Sequence, residues 1–112
     1  MLHHVIESTN RFLEQMPKSK RKKKGQFFTS LETSKFMADM FDLSMTSEEI
    51  HILDPGAGTG ILSAALLERL THETDVQKIF LVCYEKDTAV LDVLKENISY
   101  ISSCMGERLV YE

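Results

Sequence analysis

The chain has 112 residues, 43% of them hydrophobic, and a formal net charge of −4. That length and composition support a single core of modest size. Cys83 and Cys104 have no metal-ligand spacing to each other or to the scattered His3, His4, His51 and His72, so neither a disulfide framework nor a metal centre is indicated. The N-terminus lacks the apolar block of a signal peptide and no segment reads as a membrane span, so no membrane partner is expected and a reducing cytoplasm is the expected location.

The first predicted element is a helix. Leu2, Val5, Ile6, Thr9, Phe12, Leu13 and Met16 recur at helical spacing, and Pro17 ends the pattern. A basic run follows, made of Lys18, Lys20, Arg21, Lys22, Lys23 and Lys24. The first thirty residues hold seven Lys/Arg against Glu7 and Glu14, whereas the remainder holds six against fifteen acids. Such a run either neutralises phosphates or is a solvated loop, and no interleaved aromatic supports base stacking within it. Next, Lys24-Gly25-Gln26-Phe27-Phe28-Thr29-Ser30 places two adjacent aromatics beside a glycine. Thr29 and Glu32 form a T-x-x-E capping box, so the structural reading is a helix start with a hydrophobic staple. That helix is expected to turn Phe36, Met37, Met40 and Phe41 toward the core. Leu43 to Glu49 is a polar connection.

From Ile50 the pattern changes. Ile50 to Leu53 reads as a strand, followed by Asp54-Pro55-Gly56-Ala57-Gly58-Thr59-Gly60 and then by Ile61, Leu62, Ala65, Leu66, Arg69 and Leu70 at helical spacing. This is a strand, a tight turn and a helix N-terminus. Glycines there let a ligand approach the main chain, because they lack Cβ and tolerate positive φ. No Gly-Lys-Ser/Thr ending is present, which excludes a Walker-type phosphate loop, and Ile61 stands where the third dinucleotide glycine would be. The turn alone indicates a nucleoside-containing ligand.

Lys78 to Cys83 and Tyr84 form a near-continuous apolar run closing on Glu85. An unbroken run predicts a parallel strand covered on both faces. An acid at its carboxyl end either accepts hydrogen bonds from two ribose hydroxyls or is a solvated strand end. Asp87 predicts the N-cap of a helix with Val90, Leu91, Leu94 and Ile98 on one face. Arg108 to Glu112 reads as a third strand. Strand–helix alternation predicts an α/β fold with right-handed crossovers, a parallel sheet in the order 3-2-1, and ligand at the carboxyl ends.

Taken together, the three segments resemble the adenine-specific (N6) DNA methyltransferases of restriction–modification systems, which use S-adenosyl-L-methionine. Gly25 to Thr29 looks like that family's N-terminal Gly-Gln-Phe-Tyr/Phe-Thr-Pro motif, with Ser30 in place of proline. Asp54 to Gly60 looks like its Asp-Pro-x-x-Gly-x-Gly motif. The resemblance implies a Rossmann-like methyltransferase fold. It also implies a cofactor site built from Gln26, Phe27, Phe28, Thr29, Asp54, Pro55, Gly56, Ala57, Gly58, Gly60, Glu85 and Lys86. In that site Thr29 lies near the methionine carboxylate, Asp54 contacts the cofactor's amino group, Glu85 binds the ribose hydroxyls and Lys86 flanks the adenine.

The family's Asn/Asp/Ser-Pro-Pro-Tyr/Phe motif, which holds the target amine, cannot be present. The only prolines are Pro17 and Pro55. The chain is therefore expected to be the N-terminal, truncated portion of such an enzyme, inactive alone and without catalytic residues of its own. Residues 1–45 would form the N-terminal helices with the basic loop and cofactor-closing motif, and residues 46–112 the first half of the cofactor-binding domain. DNA is the expected partner of the full-length enzyme, with Lys18 to Lys24 as a candidate contact. Self-association, either edge to edge through the unpaired first strand or by swapping of the N-terminal helices, is also expected. A methyltransferase acting on RNA or protein, and a non-enzymatic basic nucleic-acid-binding module, are the alternatives.

Overall fold

A computed structural model describes residues 1–16, 28–44 and 48–112. Gln26, Phe27 and the basic residues from Lys18 to Lys24 lie outside the described residues. Helix α1 spans Leu2–Glu14 and helix α2 spans Leu31–Asp39. Strand β1 (Glu49–Asp54), helix α3 (Ile61–Glu73) and strand β2 (Lys78–Cys83) form a β-α-β unit. Helix α4 (Thr88–Met105) and one 3-10 turn lead into strand β3 (Leu109–Tyr111).

The sheet is parallel, in the order β1-β2-β3. Glu49 pairs with Lys78 at one end of the β1–β2 register and Asp54 with Cys83 at the other. Ile79 pairs with Leu109 and Leu81 with Tyr111 on the far side of β2. This is the order the sequence predicts, and it brings the turns after β1 and β2 to one edge.

The first turns of helix α3 are buried on most sides. Ile61, Ala64, Ala65, Leu66, Leu67 and Leu70 are buried, because the helix packs on α1 and α2 while sharing one hydrophobic cluster with Ile79 and Leu81 of β2. Leu2 and Val5 of α1 and Leu94, Ile98 and Ile101 of α4 complete that cluster. No helix among the described residues is long and apolar enough to cross a membrane.

Three sequence expectations are corrected. First, β2 is not covered equally on both faces. Ile79 and Leu81 are buried, but Leu53 is 63% and Val110 43% exposed on the other face, where His51 and Phe80 stack at 4.7 Å. The cause is topological: successive right-handed crossovers that always step in the same direction place their helices on the same face. Second, Ser30, not Thr29, caps α2, its Oγ accepting from Thr33 N at 3.2 Å. Third, Phe36, Met40 and Phe41 do not face the core, being 64%, 68% and 52% exposed. Instead Ser34 and Ala38, one turn apart, are buried, and their small side chains allow α2 to lie close on α3. Arg69 of α3 then fixes the end of α2, its Nη1 donating to Ala38 O at 2.8 Å and to Phe41 O at 2.6 Å.

Candidate functional site

The turn after β1 is closed by its own backbone and by β2. Gly60 N donates to Ala57 O at 2.9 Å, Ala57 N donates to Tyr84 O at 3.0 Å, and Tyr84 N donates to Asp54 O at 2.9 Å. Gly58 and Gly60 take positive φ values of 59° and 96°, a region that L side chains enter at a cost. Gly60 is also squeezed, since a Cβ there would lie 3.0 Å from Leu94 Cδ1. Gly56 differs from both. Its φ is not positive, and a Cβ added there would meet nothing within 4 Å, so its smallness leaves an open approach to the main chain.

A cleft opens over this turn. Its lining comprises Phe28 and Thr29, Asp54, Gly56 to Thr59, and Ile61 with Leu62 at the start of α3. The first-turn amides of a helix have no acceptor within the helix, so the α3 N-terminus offers this cleft donors and the positive end of a dipole. The Phe28 ring lies 3.6 Å from the position a Gly58 Cβ would occupy and meets Phe12 of α1 edge-on at 6.4 Å. Thr29, displaced from the cap by Ser30, forms wall.

Glu85 joins the two turns. Its Oε1 accepts from Gly58 N at 3.0 Å and its Oε2 from Asp87 N at 2.9 Å. The carboxylate thus orients the glycine turn and the entry to α4 together. Asp54 Oδ2 accepts from Ser63 Oγ at 2.6 Å, which fixes its rotamer at the carboxyl end of β1. Cys83, beside Asp54 in the register, has its thiol pushed up to about 11, by burial first and by the Asp54 carboxylate second.

Of the residues that the sequence singles out, Phe28, Thr29, Asp54, Gly56, Ala57 and Gly58 line one cleft, and Glu85 is bonded to it through Gly58. Pro55 and Lys86 are adjacent to the turns and do not line the cleft. Gly60 is buried beneath it against α4. Sequence reasoning passes over Thr59, Ile61, Leu62, Ser63 and Asn97 as site residues. Asn97 carries a signal: it is a lone amide within the apolar stripe of Leu94, Ile98 and Ile101. Its Nδ2 donates to Thr59 O at 2.8 Å. Ser63 carries none, because nothing in its spacing links it to Asp54. No cluster of His, Cys, Asp and Glu among the described residues could hold a metal ion.

A parallel β-α-β unit with a glycine turn opening its helix, and an acid ending the next strand, defines the Rossmann-like class to which S-adenosylmethionine-type methyltransferases belong. The chain belongs to the N-6 DNA methylase family, whose model matches residues 5–100. It is 34% identical over 85 residues to the type II methyltransferase M.PstI of Providencia stuartii, an alignment covering 76% of this chain and 16% of that relative.

Proposed function

We propose that this chain is the S-adenosyl-L-methionine-binding, N-terminal portion of an adenine-specific DNA methyltransferase of a restriction–modification system. The observation that carries the reading is convergence: Phe28 and Thr29 line one cleft with Asp54, Gly56 to Thr59, Ile61 and Leu62, and Glu85 is hydrogen-bonded to Gly58 in its floor. The residues fit the group. Gly56 leaves space for close main-chain contact, the α3 N-terminus suits a carboxylate, and Glu85 retains lone pairs for ribose hydroxyls after accepting two amides. Asp54 suits an ammonium. When bound, the cofactor supplies an electrophilic methyl group; this chain's residues bind and orient it.

Residues 1–45 serve in this reading as the portion that closes over the cofactor, with Gln26, Phe27, Phe28 and Thr29 in its closing motif. Residues 46–112 serve as the first half of the cofactor-binding domain, with Lys86 beside the adenine. DNA is the substrate of the full-length enzyme, Lys18 to Lys24 contribute phosphate contacts, and the cytoplasm, where Cys83 and Cys104 stay free thiols, is where it acts. The chain alone transfers no methyl group.

Photocrosslinking with radiolabelled S-adenosylmethionine tests the assignment. Label mapping to residues 28–29, 54–62 or 85–86, competed by S-adenosylhomocysteine and not by NAD, is the expected result. Absence of competable label would favour a non-enzymatic binding module.

A further inference from the structure

Three buried polar side chains meet beneath the glycine turn: Thr9, Thr59 and Asn97, exposed by 2%, 1% and 1%. Thr9 belongs to α1, Asn97 to α4, and Thr59 to the turn itself. Thr9 Oγ1 donates to Val5 O within its own helix at 2.8 Å. It also lies 2.6 Å from Thr59 Oγ1. A hydroxyl has one hydrogen. Because Thr9 spends its own on Val5, Thr59 must be the donor across that contact. The direction of the chain is therefore fixed as Thr59 to Thr9 to Val5. From the other side, Asn97 Nδ2 donates to Thr59 O, so both the side chain and the carbonyl of Thr59 are held by elements outside the turn.

The consequence reaches the cleft through a single peptide. Thr59 O accepts from Asn97, and the N–H at the other end of that peptide, Gly60 N, closes on Ala57 O. Gly58, one residue earlier than Thr59, donates to Glu85. The same α1 face that carries Val5 and Thr9 continues, one turn on, to Phe12, which braces Phe28 in the cleft wall.

We propose that Thr9 and Asn97 are positioning residues that clamp Thr59 between α1 and α4, so that the N-terminal helix sets the conformation of the cofactor turn without touching ligand. This rests on the cofactor reading only for its effect on binding; the clamp itself is defined by the free protein. Two substitutions separate its parts. Thr9→Val leaves the buried Thr59 hydroxyl without an acceptor, whereas Thr59→Val leaves Thr9 still bonded to Val5, so Thr9→Val is the more disruptive of two changes that look symmetrical. Thr9→Ser keeps the hydroxyl and restores the chain.

The test is amide hydrogen exchange on the ligand-free chain, read at Gly58 and Gly60 and, as reference, at Ile79 and Leu81 in β2. Thr9→Val and Asn97→Ala are expected to speed exchange at the two glycines roughly ten- to hundredfold. The reference strand should be little changed, Thr9→Ser should resemble the parent, and Thr59→Val should lie between. Equal acceleration in β2, or unchanged glycine exchange, would overturn the clamp. A calorimetric titration of the same variants with S-adenosylhomocysteine adds the functional arm, with Thr9→Val expected to bind more weakly than Thr9→Ser. If the parent chain binds no S-adenosylhomocysteine, the cofactor reading fails while the exchange data still decide the clamp.

Discussion

A methyl group added at Gly60 meets Leu94 Cδ1 at 3.0 Å with φ at 96°, whereas one added at Gly56 meets nothing. Gly60→Ala should therefore destabilise the fold, by roughly 1–2 kcal/mol from the backbone conformation alone, with the Leu94 contact adding to it. Gly56→Ala should leave thermal unfolding where it is and weaken only ligand binding. Scanning calorimetry with parallel titrations checks both, and a Gly56→Ala variant that binds as tightly as the parent would remove that glycine from the site. Cys83 gives a second residue-scale expectation. Its thiol stays protonated well above the ordinary 9.0, while Cys104 is exposed. Iodoacetamide at about pH 8 should label Cys104 long before Cys83, as peptide mass mapping would show. A raised thiol also sets a sign for stability: its contribution is complete below pH 9.0 and is lost as pH rises through about 11. The glycines, Asp54 and Glu85 are legible in the sequence because their chemistry is local. The Thr59 clamp is not, because its partners lie fifty residues upstream and thirty-eight downstream.

At the scale of elements, α4 follows its sequence signals and α2 does not. Asp87 caps α4 as the sequence predicts, its Oδ1 accepting from Ala89 N at 3.0 Å and Val90 N at 3.3 Å. Asp87→Ala should cost about 1 kcal/mol, measured by urea unfolding, and should also loosen Glu85, which bonds to the Asp87 amide. Helix α2 defeats the periodicity argument. Its large apolar residues mark a stripe, but the buried stripe is the one with Ser34 and Ala38. Hydrophobic periodicity reports where apolar side chains lie and not which face can approach a neighbour closely; here backbone proximity and the Arg69 bonds to Ala38 and Phe41 decide. Arg69→Ala should therefore release the α2 C-terminus, seen as faster amide exchange at Met40 and Phe41, with the β-α-β unit unaffected.

On the scale of the whole molecule, the sheet order is legible because short strands and helices alternate and crossovers have one hand. The coverage is not, since an apolar run in β2 cannot say which of its faces a helix reaches. The face carrying His51, Leu53, Phe80 and Val110 is partly open, and β1 is a sheet edge among the described residues. Open apolar edges recruit further strands, so the isolated chain should self-associate. Light scattering that rises with concentration would agree, and a monomer at all concentrations would refute it. Above all, the proposed function requires the glycine turn and Glu85 to act as one cofactor site. Isothermal titration of the parent chain and of Glu85→Ala with S-adenosylhomocysteine puts that requirement to the test. Saturable binding by the parent and a loss of about 1–3 kcal/mol in Glu85→Ala are expected, with both proteins equally folded by circular dichroism. Equal affinity in the two proteins, or no heat from either, would contradict it.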